Sequence, residues 1–334
     1  MRIAVLGGGS WGTALAVHLA RARHGVRIWL RDADVAEQIA RERENKAYLP
    51  GVAVPAEVEP TTAVADALGS AELVVMVIPS QFCREVYRSL RAHLPPGVGL
   101  VSATKGIETA TLRRMTEVAS EEAPGHPLAV LSGPSFALEV AHGQPTAVVV
   151  ASRDAAFAEA LQRAVSTPSF RAYASDDVVG AELAGALKNV IAIAAGIVDG
   201  LGMGHNTVAA LITRGLAEIA RLGVARGGRA DTFSGLAGLG DLVLTCTGGL
   251  SRNRRLGQAL GRGRSLAEAT AALRDATGHA MVAEGVPTTL AAAALAAEAG
   301  VEMPIVAAMK EVLHEGRAPR DAVLQLMSRS LKRE

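Results

Sequence analysis

The chain has 334 residues, 49% of them hydrophobic, and a formal net charge of +1. That much apolar sequence can bury a large core and form two domains, while the near-neutral balance gives no long-range pull toward nucleic acid or an acidic membrane. The two cysteines, Cys83 and Cys246, lack metal-ligand spacing, so no metal site is expected and a reducing, cytoplasmic setting fits.

In chain order, the run Arg2-Ile3-Ala4-Val5-Leu6 leads into Gly7-Gly8-Gly9-Ser10-Trp11-Gly12 and then Thr13-Ala14-Leu15-Ala16. This reads as a buried strand, a glycine turn and a helix start, with no basic and apolar leader of secretory type before it. Glycines at 7, 9 and 12 give the G-x-G-x-x-G spacing. Gly7 permits the tight turn, Gly9 lets backbone approach a pyrophosphate, and Gly12 lets the helix pack on the strand. Free N–H groups and the dipole at the helix start favour an anion. In a chain with 35 glycines the bare spacing is a weak signal; its place between strand and helix is what points to a dinucleotide. The next strand, Val26 to Leu30, ends in Arg31-Asp32. An acid there holds a ribose 2′-hydroxyl and an Arg accommodates a 2′-phosphate. The order Arg then Asp predicts that NADP is accepted and NAD not excluded, although a solvated surface Arg would read the same way.

Leu73 to Ile78, Val98 to Val101, Leu128 to Leu131 and Ala147 to Ala151 read as buried parallel strands, with helical patterns such as Phe82 to His93 and Ala155 to Val165 between them. From about Ala181 alanine- and leucine-rich helical patterns take over: Glu182 to Val198, Val208 to Leu222, Leu266 to Arg274 and Thr288 to Ala299. The expected fold is α/β, with a Rossmann-like doubly wound sheet over 1–180 that binds the dinucleotide and an all-helical substrate domain over 181–334. Ligand should lie in the crevice between them. The apolar stretch Val190 to Val198, cut by Asp199 and His205, reads as too short to span a bilayer.

Only five of the 34 basic residues are lysines, at 46, 105, 188, 310 and 332. Where any cation would serve, this chain uses Arg, so a Lys in apolar or glycine-rich surroundings is expected to be needed as an amine. Lys188, in Ala184-Gly185-Ala186-Leu187-Lys188-Asn189-Val190, sits in a helix apolar on most sides, where desolvation lowers an ammonium toward proton-transfer range. Lys105, in Ser102-Ala103-Thr104-Lys105-Gly106, lies just past the carboxyl end of a strand, where open α/β sheets bind ligands. A snorkelling or ion-paired Lys is the alternative for each. Glycines flank Asp241, and Ser251-Arg252-Asn253 offers the hydroxyl, guanidinium and amide donors that a phosphate monoester needs. A polar surface turn has the same composition.

Six ordered blocks, G-G-G-S-W-G-T-A-L-A, S-A-T-K-G-I-E, L-S-G-P-S-F-A, G-A-L-K-N-V, G-L-G-D-L-V-L-T-C and S-R-N-R-R-L-G, span nearly the whole chain. Together they resemble the bacterial-type NAD(P)-dependent glycerol-3-phosphate dehydrogenases. The resemblance implies a C-terminal domain like that of 6-phosphogluconate dehydrogenase, a homodimer, and reversible reduction of dihydroxyacetone phosphate to sn-glycerol 3-phosphate for glycerophospholipid synthesis. It implies Lys188 as general acid/base and a substrate site of Lys105, Gly133, Ser135, Lys188, Asp241, Ser251, Arg252 and Asn253. For the cofactor, NADP or NAD with NADPH preferred, it implies Ser10, Trp11, Arg31, Lys105, Ala137, Arg252, Val282 and Glu284 beside the glycine turn. As bare sequence, Glu284 is also a solvated or capping carboxylate. Two rival readings are a β-hydroxyacid or 6-phosphogluconate dehydrogenase, whose Lys and Asn usually stand a helical turn apart rather than adjacent as Lys188 and Asn189 are, and a nucleotide sensor without chemistry.

Overall fold

A computed structural model describes residues 1–274, 278 and 281–330; Lys332 lies outside the described residues. The strands are β1 (Arg2–Leu6), β2 (Gly25–Trp29), β3 (Glu44–Asn45), β4 (Leu49–Ala53), β5 (Val58–Thr61), β6 (Leu73–Met76), β7 (Gly99–Ser102), β8 (Leu128–Ser132), β9 (Thr146–Ala151) and β10 (Phe170–Ser175). Eight of them form one sheet in the order β10-β9-β8-β7-β6-β1-β2-β5, and β3 and β4 pair separately. Side chains alternate across the sheet, so Ile3 and Val5 enter one core layer while Ala4 and Leu6 enter the other. Both faces are covered, which is why these strands read as continuous apolar runs.

Six of the seven pairings in the large sheet are parallel; β9 runs antiparallel to β8. The parallel expectation for Ala147 to Ala151 is thereby corrected. The one helix between β8 and β9, Ala137–Ala141, has five residues, too few to carry the chain back along the sheet to the end where β8 begins. The edge strand β10 escaped the sequence reading because Arg171 and Tyr173 break its apolar run.

The sheet ends at Ser175 and the helical part begins at Val178, where Asp177 caps the first turn by accepting from Gly180 N at 2.9 Å. Helix Val178–Gly200 has 23 residues and is long and apolar enough to cross a membrane. The reading of Val190 to Val198 as too short is therefore corrected: Asp199 lies within the helix and does not cut it. Its most apolar 18-residue stretch is wholly buried inside the protein, which explains an all-round apolar helix without a bilayer. Helix Arg252–Gly261 crosses it at close quarters, since a Cβ on Gly196 would lie 2.0 Å from the Arg254 carbonyl oxygen and one on Gly257 would lie 2.0 Å from that of Ile193. That contact brings the Ser251–Asn253 segment beside the middle of the buried helix, where Lys188 stands.

Candidate active site

At the carboxyl end of β1 the glycine turn has three distinct geometries. Gly7 has φ +122°, and a Cβ there would sit 2.6 Å from the Val77 carbonyl oxygen. A Cβ on Gly12 would lie 1.8 Å from the Gly7 carbonyl oxygen, so helix Ser10–Arg21 can pack on the turn only as glycine. A Cβ on Gly9 would meet nothing within 4 Å. The space above Gly9 is left by the protein itself, at a helix N-terminus, and the buried Trp11 Nε1 has no hydrogen-bond partner among the described residues. This cradle fits a dinucleotide pyrophosphate. Ser10 Oγ donates to the Tyr48 carbonyl at 2.6 Å, and the buried Asn45 donates through Nδ2 to the Gly8 carbonyl at 2.9 Å and Thr13 Oγ1 at 2.8 Å. Past β2, Arg31 is exposed with no partner among the described residues, whereas Asp32 turns inward and accepts from Asp34 N and Val35 N at 3.0 and 3.3 Å.

Lys105 and Gly133 follow β7 and β8 at the same edge of the sheet. Helix Val178–Gly200 passes over them because Gly185 carries no side chain; a Cβ there would be 2.8 Å from Ser132 Oγ and 3.7 Å from Lys105 Cγ. One turn further, Lys188 Nζ donates to Asp241 Oδ1 and, at 2.7 Å, to Thr245 Oγ1. Asp241 Oδ2 accepts from Lys105 Nζ at 2.7 Å, and Lys105 Nζ also donates to the Gly133 carbonyl at 2.8 Å. Asp241, only 1% exposed, thus serves as the counterion shared by both lysines. Asp241 and Thr245 stand at i and i+4 on helix Asp241–Thr247, which follows directly from the π-helical turn Leu236–Gly240. Burial pulls the Lys188 ammonium down to about 8, against the opposing attraction of Asp241.

The other expected substrate residues converge on this cluster in different capacities. Ser135 Oγ donates to the Gly133 carbonyl at 2.9 Å, and Ala137 opens the short helix beyond it, half-buried. Ser251 Oγ accepts from Arg254 N at 3.2 Å and caps helix Arg252–Gly261. Asn253 is a brace: Nδ2 donates to Asn189 Oδ1 at 2.9 Å and Oδ1 accepts from Gly285 N at 3.0 Å. Arg252 is half-buried and forms no hydrogen bond or ion pair with the described residues. It feels the charge of Glu284, whose carboxylate accepts from Ser80 N at 3.0 Å and Ser80 Oγ at 2.5 Å; burial pushes the Glu284 carboxyl up. Val282 is exposed two residues before it. The sequence reading missed Thr245, Asn45 and Ser80; the i, i+4 step from Asp241 was the one available signal for Thr245.

A doubly wound sheet with an open glycine cradle, beside a helical domain that presents a buried, acid-shifted lysine, defines the class of NAD(P)-dependent dehydrogenases. Residues 2–158 match the family described as NAD-dependent glycerol-3-phosphate dehydrogenase N-terminus, and residues 177–324 match the corresponding C-terminus. The chain belongs to the glycerol-3-phosphate dehydrogenase family. It is 53% identical over 332 residues to the NAD(P)+ glycerol-3-phosphate dehydrogenase of Koribacter versatilis, covering 98% of this chain and 97% of that one. The counterpart from Geobacter sulfurreducens is 52% identical over 336 residues, covering 100% and 98%. The crystal structure of glycerol-3-phosphate dehydrogenase from Coxiella burnetii superimposes with a TM-score of 0.93 at 41% identity, covering 98% of this chain and 99% of that one. A ketopantoate reductase from Ralstonia eutropha, at 16% identity and a TM-score of 0.60 over 97% of this chain and all of that one, shares the fold alone. The enzyme interconverts dihydroxyacetone phosphate and glycerol 3-phosphate with NAD(P).

Proposed function

We propose that Lys188 is the proton donor and acceptor of this reaction. The observation that carries the reading is a buried ammonium drawn down to about 8 by desolvation and held between Asp241 and Thr245 at the mouth of the sheet. When bound at the glycine cradle, the reduced dinucleotide supplies the hydride for the ketone carbon. Lys188 Nζ gives its proton to the ketone oxygen as it gains charge, and takes the proton back from the hydroxyl in oxidation. Lys105, Asp241, Gly133 and Ser135 position the substrate and the lysine. Arg252, with no partner among the described residues, meets the phosphate and the cofactor; Ser251 and Asn253 hold the start of its helix in place. Gly7, Gly9, Ser10, Trp11, Gly12, Ala137, Val282 and Glu284 line the dinucleotide site. NADPH is preferred, because Arg31 is free to meet a 2′-phosphate while Asp32 is engaged in capping.

The glycerol 3-phosphate formed by reduction supplies glycerophospholipid synthesis. The family resemblance and the extensive apolar helical half support a homodimer, and two free, buried thiols a cytoplasmic setting.

The test follows the absorbance of reduced nicotinamide. Lys188→Ala should lower kcat by about 10² to 10⁴ with NADPH binding retained, and Lys188→Arg should restore little, since a guanidinium does not release its proton near neutral pH. Full turnover in the Arg variant would reduce Lys188 to an electrostatic anchor. Dihydroxyacetone, lacking the phosphate, should turn over far more slowly than its phosphate ester; comparable kcat/KM for the two ketones would remove Arg252 from the phosphate site.

A further inference from the structure

Lys105 is held in place by groups that lie outside the lysine–aspartate cluster. Three residues beyond it, in the block S-A-T-K-G-I-E, Glu108 is buried and meets Arg84 in a fork: Arg84 Nε lies 2.9 Å from Oε1 and Nη2 lies 2.8 Å from Oε2. Thr111 Oγ1 donates to the same carboxylate. Arg84 belongs to helix Cys83–Leu90 and also reaches Glu121 at 2.7 Å and Glu122 at 2.8 Å on helix Met115–Glu122.

The chain between Lys105 and Glu108 has no slack. A Cβ on Gly106 would lie 2.3 Å from Ser80 Oγ, and the Ile107 side chain is fully buried while its carbonyl accepts from Gln81 Nε2 at 2.8 Å. On the other side, Asn189 Nδ2 donates to the Lys105 carbonyl at 3.2 Å. A shift at Glu108 therefore passes to Lys105, whose ammonium must meet Gly133 and Asp241 together.

We propose that the Glu108–Arg84 pair is a positioning element for Lys105, fixing the loop that carries this lysine to the substrate. The inference rests on the assignment of Lys105 to the substrate site. Stabilising the two helices would need only Glu121 and Glu122; Glu108 is the carboxylate of the three that belongs to the lysine loop. A bidentate fork sets direction as well as charge, which suits placement of a side chain.

The experiment is a double-mutant cycle on the full-length enzyme, with kcat and KM for dihydroxyacetone phosphate at saturating NADPH, NADPH affinity, and thermal melting of each variant. Glu108→Gln should lower kcat/KM about tenfold, chiefly through KM, but less than about twofold in a Lys105→Ala background. Arg84→Lys, which keeps charge and loses the fork, should give the same pattern and serves as the second variant if Glu108→Gln folds poorly. Glu121→Gln should leave activity unchanged. An equal loss in both backgrounds, or no loss in either variant, overturns the inference and leaves Lys105 where it is. An unimpaired Lys105→Ala overturns the assignment of Lys105, and the inference with it.

Discussion

Replacing Asp241 by Asn keeps the shape of the side chain and removes the charge that two ammonium groups share. Its Oδ2 lies 2.7 Å from Lys105 Nζ, its Oδ1 accepts from Lys188 Nζ, and water has almost no access. Lys188 stands at about 8 because desolvation, which lowers it, outweighs the attraction of Asp241, which raises it, while Lys105 adds a further push downward. Without the carboxylate both downward influences remain, and an opposite charge at contact distance is ordinarily worth about one to three pH units. The sign depends on direction. With Lys188 as the proposed proton donor, reduction needs it protonated, so kcat/KM should be level below about 8 and fall as pH rises through it; oxidation needs the neutral amine, so its rate should rise through the same value. Asp241→Asn should move both limbs down by about one to three pH units, so that reduction at neutral pH loses about twofold to about a hundredfold from protonation alone.

The assay is initial rate in both directions from about pH 5.5 to about pH 9.5, read from the reduced-nicotinamide absorbance. Breaking a buried ion pair costs about 3 to 5 kcal/mol, so melting must be followed at each pH to confirm that rates refer to folded enzyme. Stability carries its own sign. The folded value of Lys188 lies below the ordinary lysine value of 10.5, so the cost of burying the ammonium is complete below about 8 and fades as pH rises toward 10.5. Limbs that coincide in wild type and a well-folded variant would refute the reasoning: Asp241 would not set the proton affinity of Lys188.

Two further outcomes concern the dinucleotide. Arg31→Ala should raise KM for NADPH about tenfold and leave NADH nearly unchanged, as loss of a charged hydrogen bond to a 2′-phosphate requires; equal losses with both cofactors would remove Arg31 from that role. Gly9→Ala should keep its melting temperature and weaken NADPH binding, because its Cβ enters only open space, whereas Gly12→Ala should melt early, with its Cβ 1.8 Å from a carbonyl oxygen. Titrating both variants by NADPH fluorescence alongside thermal melts separates the two, and unchanged affinity in Gly9→Ala would argue against a pyrophosphate at that spot.

What could be read from the sequence was local. The glycine turn declares itself because strand, turn and helix start are consecutive, and Lys188 stands out because an Arg-rich chain placed a lysine inside an apolar helix. What could not be read is the set of partners brought from a distance. Asp241 lies 136 residues from Lys105 and 53 from Lys188, so nothing in the sequence says that one carboxylate serves both. Asn45 and Ser80 act on the cradle and on Glu284 through backbone and hydroxyl groups of other segments, and no spacing encodes that. Ser251 is a different case: a Ser directly before a helical run is a capping signature, and the structure gives its oxygen to Arg254 N. A capped Ser251 and a braced Asn253 leave Arg252 as the residue of the three with no hydrogen bond or ion pair among the described residues. This division also accounts for the choice of side chains. On the proposed roles, a position that only offers charge to an anion can be an arginine, whereas one that must gain and lose a proton near neutrality suits a lysine, whose ammonium is brought down to about 8 by burial.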